Sequence, residues 1–263
     1  MTFAVIVGIA AATHAHDLFL KLDNYFLAPN SKAVVRVMNG TFHQSDGAVA
    51  RERLAQLNVY GPQMAVAAVD FGTWRTEGKT SLLEFQTGSA GTYVVAVSTK
   101  PREIDLKASN FNEYLEHDGI PDTLEQRRKH NELAKDVRER YSKHVRALFQ
   151  VGDRLSSDYK RPLNYPLEII PQQNPYALKA GDTLSVLCLH NAGPIRNQLV
   201  VAGYESGSGR TDSSWTRTNS QGVARFKIAA AGKWYVKFIY MTRLEDPKVN
   251  YESQWASLTF AIR

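Results

Sequence analysis

The feature that most restricts the fold is a pattern written twice. Tyr25-x-Leu27 is followed, eight residues after the Tyr, by alternating Ala33, Val35 and Val37; Tyr176-x-Leu178 is followed at the same distance by Leu184, Val186 and Cys188. Each half then closes on a similar run, Ala90-Gly91-Thr92-Tyr93-Val94-Val95 in the first and Ala231-Gly232-Lys233-Trp234-Tyr235-Val236 in the second. Alternation with period two marks half-buried strands. Its recurrence in the same order, at spacings that differ by about a loop's length, predicts two related β-sandwich modules.

Between the halves the periodicity changes. Leu124, Leu133, Val137, Tyr141, Val145 and Leu148 recur mostly at four-residue steps among charged residues. Asp122 and Glu125 stand as a capping box behind Pro121, and Gly152 stands as a left-handed stop. The spacing predicts one long helix over 122–152. Ser109 opens a shorter helix through Phe111, Tyr114 and Leu115, closed by Gly119. The expected organisation is a leader at 1–15, an N-terminal sandwich at 16–100, a helical insert and linker at 101–160, and a C-terminal sandwich at 161–263. The fold class is therefore mainly β, two sandwich modules joined by a helical insert.

Met1 to Ala15 is an apolar, small-residue run ending Ala12-Thr13-His14-Ala15, which fits the hydrophobic region and cleavage site of a secretory signal peptide. A first buried strand, Phe3 to Ile9, is the alternative. No other segment reaches the apolar length of a membrane span, so the mature chain is expected in the periplasm or secreted. The net charge is +6. Arg127, Arg128, Lys129, Arg138, Arg140, Lys143 and Arg146 interleave with acidic residues, which describes a solvated helix face and excludes nucleic acid as a partner. Cys188 is the single cysteine, placed as a buried small hydrophobe.

Cleavage after Ala15 would make His16 the N-terminus, offering one ion both its α-amine and its imidazole. Asp17 adds an oxygen, and His43 or His190 a third nitrogen, the donor set of a nickel, cobalt or copper site. Read blandly, His16 begins a strand and the other two are surface histidines. His117, His130 and His144 read as solvated or interface residues. No zinc-spaced Cys/His cluster, His-Glu-x-x-His or Gly-x-Ser-x-Gly is present, and Glu245/Asp246 reads as a solvated pair, so no enzyme is expected. Trp215, Trp74 and Tyr204 are either sugar-stacking or ordinary sandwich aromatics.

Thr218-x-x-x-Gly222-x-x-x-Phe226 resembles an element of transthyretin-like and related Ig-like sandwich domains. A larger set of blocks points to one family. They include Ala15-His16-Asp17-Leu18-Phe19-Leu20, Tyr141-Ser142-Lys143-His144, Pro166-Leu167-Glu168-Ile169-Ile170-Pro171, Asn174-Pro175-Tyr176 and Glu252-Ser253-Gln254-Trp255-Ala256. Together they resemble the bacterial exported family of unknown function labelled a nickel-uptake substrate-specific component. That resemblance implies a periplasmic protein capturing nickel or cobalt for a membrane metal transporter, with His16 matching the family's His after the signal. The family's His-Met pair at the end of the penultimate strand is Tyr240-Met241 here, a harder and less basic donor. The competing expectation is a cell-envelope interaction or carbohydrate-binding structural module without metal.

Overall fold

The computed structural model describes residues 16–62, 64–67, 71–205 and 211–263. The run expected as a leader, and the strand that is its alternative, lie outside the described residues. The first half runs through β1 (Asp17–Leu22), β2 (Phe26–Leu27), β3 (Lys32–Gly40), β4 (Ser45–Gly47), β5 (Leu54–Gly61) and β6 (Met64–Ala67). β7 (Arg75–Glu77), β8 (Thr80–Gln86), β9 (Gly91–Thr99) and β10 (Arg102–Leu106) lead into helices α1 (Ala108–His117) and α2 (Pro121–Lys129). Then comes β11 (Val137–Val151). The second half holds β12 (Leu167–Pro171), β13 (Thr183–His190), β14 (Gly193–Pro194), β15 (Leu199–Glu205) and β16 (Thr211–Arg217). β17 (Val223–Lys227), β18 (Gly232–Arg243) and β19 (Tyr251–Ile262) complete it.

These strands form three sheets among the described residues. The largest runs β16-β15-β18-β19-β11-β9-β5-β6, with β2 and β10 also pairing to β11. A small sheet of β1-β3-β8-β7, with β4, covers one face; another of β12-β13-β14, with β17, covers the other. Side chains alternate between the faces of a strand, and the cores follow. Val145, Ala147 and Phe149 join Leu20, Val35 and Leu83 under the first small sheet. Leu148, Leu258 and Phe260 join Ile169, Val186 and Phe226 under the second.

The two sandwiches thus stand back to back on one shared sheet, joined where β11 pairs in parallel with β19, from Glu139 opposite Tyr251 to Ala147 opposite Thr259. Outward from β11 the order is β9, β5, β6; outward from β19 it is β18, β15, β16. The small sheets repeat as β1-β3-β8 and β12-β13-β17. The halves are related as if by a two-fold axis lying along the strands, which keeps β11 and β19 parallel and turns the second half over.

The helix expected over 122–152 does not form. α2 ends at Lys129, Asn131 takes a left-handed φ of 55°, and residues 137–151 are a fifteen-residue strand. The reason lies in the commensurate spacing: a four-residue step is also two strand repeats, so Val137, Tyr141 and Val145 share a face in either geometry. Leu148 breaks that step and falls on the opposite face, which is buried too. Gly152 does take the left-handed conformation (φ 58°), but it ends a strand. Asp122 pairs with Arg217 of β16 (2.7 Å) and caps nothing. The helical insert reduces to α1 and α2. Phe111, Tyr114 and Leu115 pack on Ile239, Tyr251 and Trp255 of the shared sheet, beyond the edge of the first small sheet.

Two features tie these layers. Buried Arg127 donates to Asn112 Oδ1 (2.9 Å) and to the carbonyls of Glu132 (2.7 Å) and Lys135 (2.9 Å), fixing the turn out of α2. Arg146 of β11 pairs with Glu168 of β12, each side chain 3% exposed, and Glu168 also accepts from Leu163 N (2.9 Å). Breaking one partner of such a pair leaves an uncompensated buried charge. Arg146→Met is expected to lower unfolding free energy by about 3 kcal/mol, and Arg146→Met/Glu168→Leu to recover most of it. Urea denaturation of both variants checks this, and a double variant no better than the single would contradict it.

Candidate functional site

The start of β1, the β3–β4 turn and the end of α1 meet around a cavity of about 350 Å³. Its walls bring together His16 and Asp17, Asp46 of β4, and Glu113, His117 and Asp118 of the α1 end. His16 Nδ1 lies 3.2 Å from Asp46 Oδ2, both half-exposed at the lip. Gly40 permits that approach: a Cβ there would stand 2.7 Å from Asp46 Oδ2 and 2.5 Å from the Gln44 carbonyl.

Behind the lip the polar groups are buried and mutually paired. Lys237 of β18 holds Asp17 and lies 3.7 Å from Asp118. Burial alone would depress its amine, but the two carboxylates outweigh that and raise it. Asp118 is pushed up to about 6 by burial, with Lys237 opposing and Asp17 adding. Lys143 of β11 donates to the His16 carbonyl and to Asn39 Oδ1 (3.2 Å), and its amine falls to about 8 through burial, which nearby Asp17 partly offsets. Glu139, four residues earlier on the same face, accepts from Ser253 Oγ and from Tyr114 Oη (3.2 Å). Burial pushes its carboxyl up to about 7 against those two hydrogen bonds. Tyr114 stacks on Trp255 at 5.7 Å, so the α1 side chain that walls the cavity also lids this carboxyl.

Of the four residues expected as a metal set, the structure brings His16 and Asp17 to one cavity and sends the other two elsewhere. His43 sits in the β3–β4 turn but its Nδ1 lies 2.6 Å from Glu205 Oε1, which also takes Lys21 at 2.6 Å. His190 ends β13 in the second small sheet, on the opposite side of the shared sheet, where its ring stacks on Tyr240 at 4.2 Å. Among the described residues no three His, Cys, Asp or Glu side chains converge as a ready metal cage. Asp17 is engaged by Lys237, so the carboxylate facing His16 is Asp46. The polar 41–47 segment contains both His43 and Asp46; only the fold of the turn decides which one meets His16.

The remaining histidines divide as well. His117 lines the cavity, and His130 is exposed and bonded to the Gln126 carbonyl (2.8 Å). His144, expected at a solvated or interface position, is buried between Ser98 Oγ (2.9 Å) and Ser142 Oγ (3.1 Å), and burial lowers its ring to about 4. That is a satisfied core histidine. Cys188 is fully buried and its thiol is pushed up by burial, as its place in an alternating strand implied. Tyr204 stacks on Trp234 (4.5 Å) and Trp74 packs at the margin of the first core, which leaves Trp215 exposed among the three aromatics.

Residues 13–242 match the domain of unknown function DUF4198. The chain belongs to this family. The DUF4198 match takes in the whole first half, both helices and most of β18. No curated protein matches the chain. Among solved structures, the D0–D1 domain of intimin is similar at 13% identity and a TM-score of 0.23, over 92% of this chain and 96% of that one. A tetra-tandem repeat in the extending region of a large adhesion protein is similar at 14% identity and a TM-score of 0.22, over 94% of this chain and 49% of that one. Neither likeness is close enough to carry an argument, and the sandwich assignment rests on the strand pairing itself. No helix among the described residues is long and apolar enough to cross a membrane.

The buried carboxyl makes a pH prediction. Glu139 titrates in the fold near 7 instead of its ordinary 4.5. Its protonated form is the one the fold favours, so stability is full below about pH 4.5 and is lost as pH rises through about 7. Glu139→Gln is expected to remove this loss, gaining up to roughly 3 kcal/mol over wild type at pH 8, with little difference at pH 4. Urea titrations across that range check it; parallel curves for the two proteins would contradict it.

Proposed function

We propose that this DUF4198 protein is an exported binding module of the cell envelope with no catalytic role, and that its binding centre is the cavity beneath His16. The observation that carries the reading is the juxtaposition of His16 and Asp46 at the lip of a cavity walled by Asp17, Glu113, His117 and Asp118. Donors of this kind take up a cation: imidazole suits nickel, cobalt and copper, and carboxylate oxygens complete mixed sites. Processing between Ala15 and His16 would place the new α-amine on the same residue as the imidazole. The ion would then sit between Nδ1 and the Asp46 carboxylate, with His16 chelating through two nitrogens. Such a module would hand its ion to a membrane transporter.

A second reading is an envelope interaction module without metal. It is favoured by the scatter of His43 and His190 away from His16, and by Trp215, 72% exposed on the edge strand β16. An exposed indole on a sheet edge offers a flat apolar platform to a sugar ring or to another chain.

One series separates the two. Intact mass establishes whether the exported chain starts at His16, and calorimetry of that sample with Ni(II), Co(II) and Cu(II) follows. The metal reading expects one ion per chain, with His16→Ala weakening binding roughly a hundredfold and Asp46→Asn weakening it less. Undiminished binding by His16→Ala would sink it. A processed chain that takes no metal, but whose retention on cell-wall polysaccharide is lost in Trp215→Ser, would establish the second reading.

A further inference from the structure

A second cavity, about 180 Å³, lies on the far side of Lys143 from the one beneath His16. Three cations face it: Arg53 from the turn before β5, Arg102 of β10 and Lys143 of β11. No carboxylate among the described residues lines it. The strands dictate this convergence. Arg102 pairs with Tyr141 in the β10–β11 register, and Lys143 follows Tyr141 on the same face of the sheet. Leu18 and Val49 supply apolar walls.

The charges are unusual in what they lack. Arg53 is nine-tenths buried, yet its guanidinium donates to the Lys100 carbonyl and lies 5.3 Å from the Tyr141 ring, with no acidic partner among the described residues. Arg102 is exposed at the mouth and is likewise without one. Of the carboxylates whose charge acts on Lys143, Asp17 is held by Lys237 and Glu139 accepts from Ser253 and Tyr114. Burial lowers the Arg53 guanidinium, with Tyr141 opposing and Arg102 lowering it further; Arg53 in turn adds to the depression of Lys143. The three cations repel one another across a small, partly apolar space. Buried charges are ordinarily paired, and Arg forks match carboxylates in bidentate geometry.

We propose that this cavity binds a small organic acid with two carboxylates, one held by the Arg53 and Arg102 guanidinium groups and the other by Lys143. The volume is below that of pockets for drug-sized ligands, about 300 Å³ and upward, which limits the ligand to a few carbons. The apolar walls favour a carbon backbone over inorganic phosphate. This site is independent of the metal reading, since Arg53 and Arg102 do not line the cavity under His16.

The test is calorimetry of the full chain with succinate, acetate and inorganic phosphate, together with the shift in melting temperature each ligand produces. Succinate is expected to bind and to raise the melting temperature, with acetate and phosphate at least tenfold weaker. Arg102→Gln, at an exposed position, is expected to keep the ligand-free melting temperature while weakening succinate about tenfold. Arg102→Lys should restore part of that loss, and added salt should weaken binding throughout. Absence of succinate binding by folded protein at millimolar concentration would overturn the proposal. So would binding that Arg102→Gln leaves unchanged, and phosphate bound as tightly as succinate would overturn the organic-acid assignment.

Discussion

The parallel ladder between β11 and β19 is the interaction on which the rest depends. Without it the chain would be two small sandwiches on a tether. With it, ten strands share one sheet, and each half borrows the other's main sheet as an extension of its own. Parallel pairing between sequence-distant strands is costly to find, because loop-closure entropy is met before contacts form. It persists because β11 is buried along nearly its whole length and the flanking strands are buried with it. Removing β11 would open both cores at once.

Burial on both sides of β11 also explains its composition. A central strand of a shared sheet ordinarily reads as a continuous apolar run. This one carries Glu139, Lys143, His144 and Arg146, all buried. Each has a partner: Ser253 of β19 and Tyr114 of α1 for Glu139, the His16 carbonyl for Lys143, two serines of the same sheet for His144, and Glu168 of the second small sheet for Arg146. The strand binds its layers through polar groups as well as packing, and the charged residues nearest α1 and β1 shape the two polar cavities. Polar burial of this kind is costly unless every partner is in place, which makes β11 the part of the fold least tolerant of change.

The repeated Tyr-x-Leu and Gly-containing strand patterns were legible because they are local, alternating and terminated by turns. They map onto strands in matching positions, β3 with β13 and β9 with β18. β11 was illegible for a physical reason. Its apolar residues stand four apart, a spacing shared by helix and strand, and its polar residues are ones that favour helices when solvated. Only the tertiary partners of Glu139 and Arg146 reveal that they are inside. Of the residues lining the cavity, His16 and Asp17 could be read from their place at the start of the first strand. Asp46 was not, because its nearness to His16 depends on Gly40 and the tight turn from Thr41 to Gln44. Arg53, Arg102 and Lys143 lie on three separate elements, and no linear pattern joins them.

The junction between β9 and β11 holds β10, α1 and α2, whereas its counterpart between β18 and β19 is the short turn 244–250. A repeated strand order with extra elements at one junction gives a slab with unlike faces. On the inserted side, the helices and β10 stand beside the first small sheet and leave polar clefts at the seams; on the reverse side, the second small sheet has no such neighbour. The β3–β4 turn bearing His43 and the β13–β14 turn after His190 occupy equivalent places in the two small sheets, on opposite sides of the shared one. A change in the length or packing of α1 and α2 would therefore remodel one face and leave the other as it stands, so the two sides of this molecule can acquire or lose ligands separately while sharing a single stable sheet.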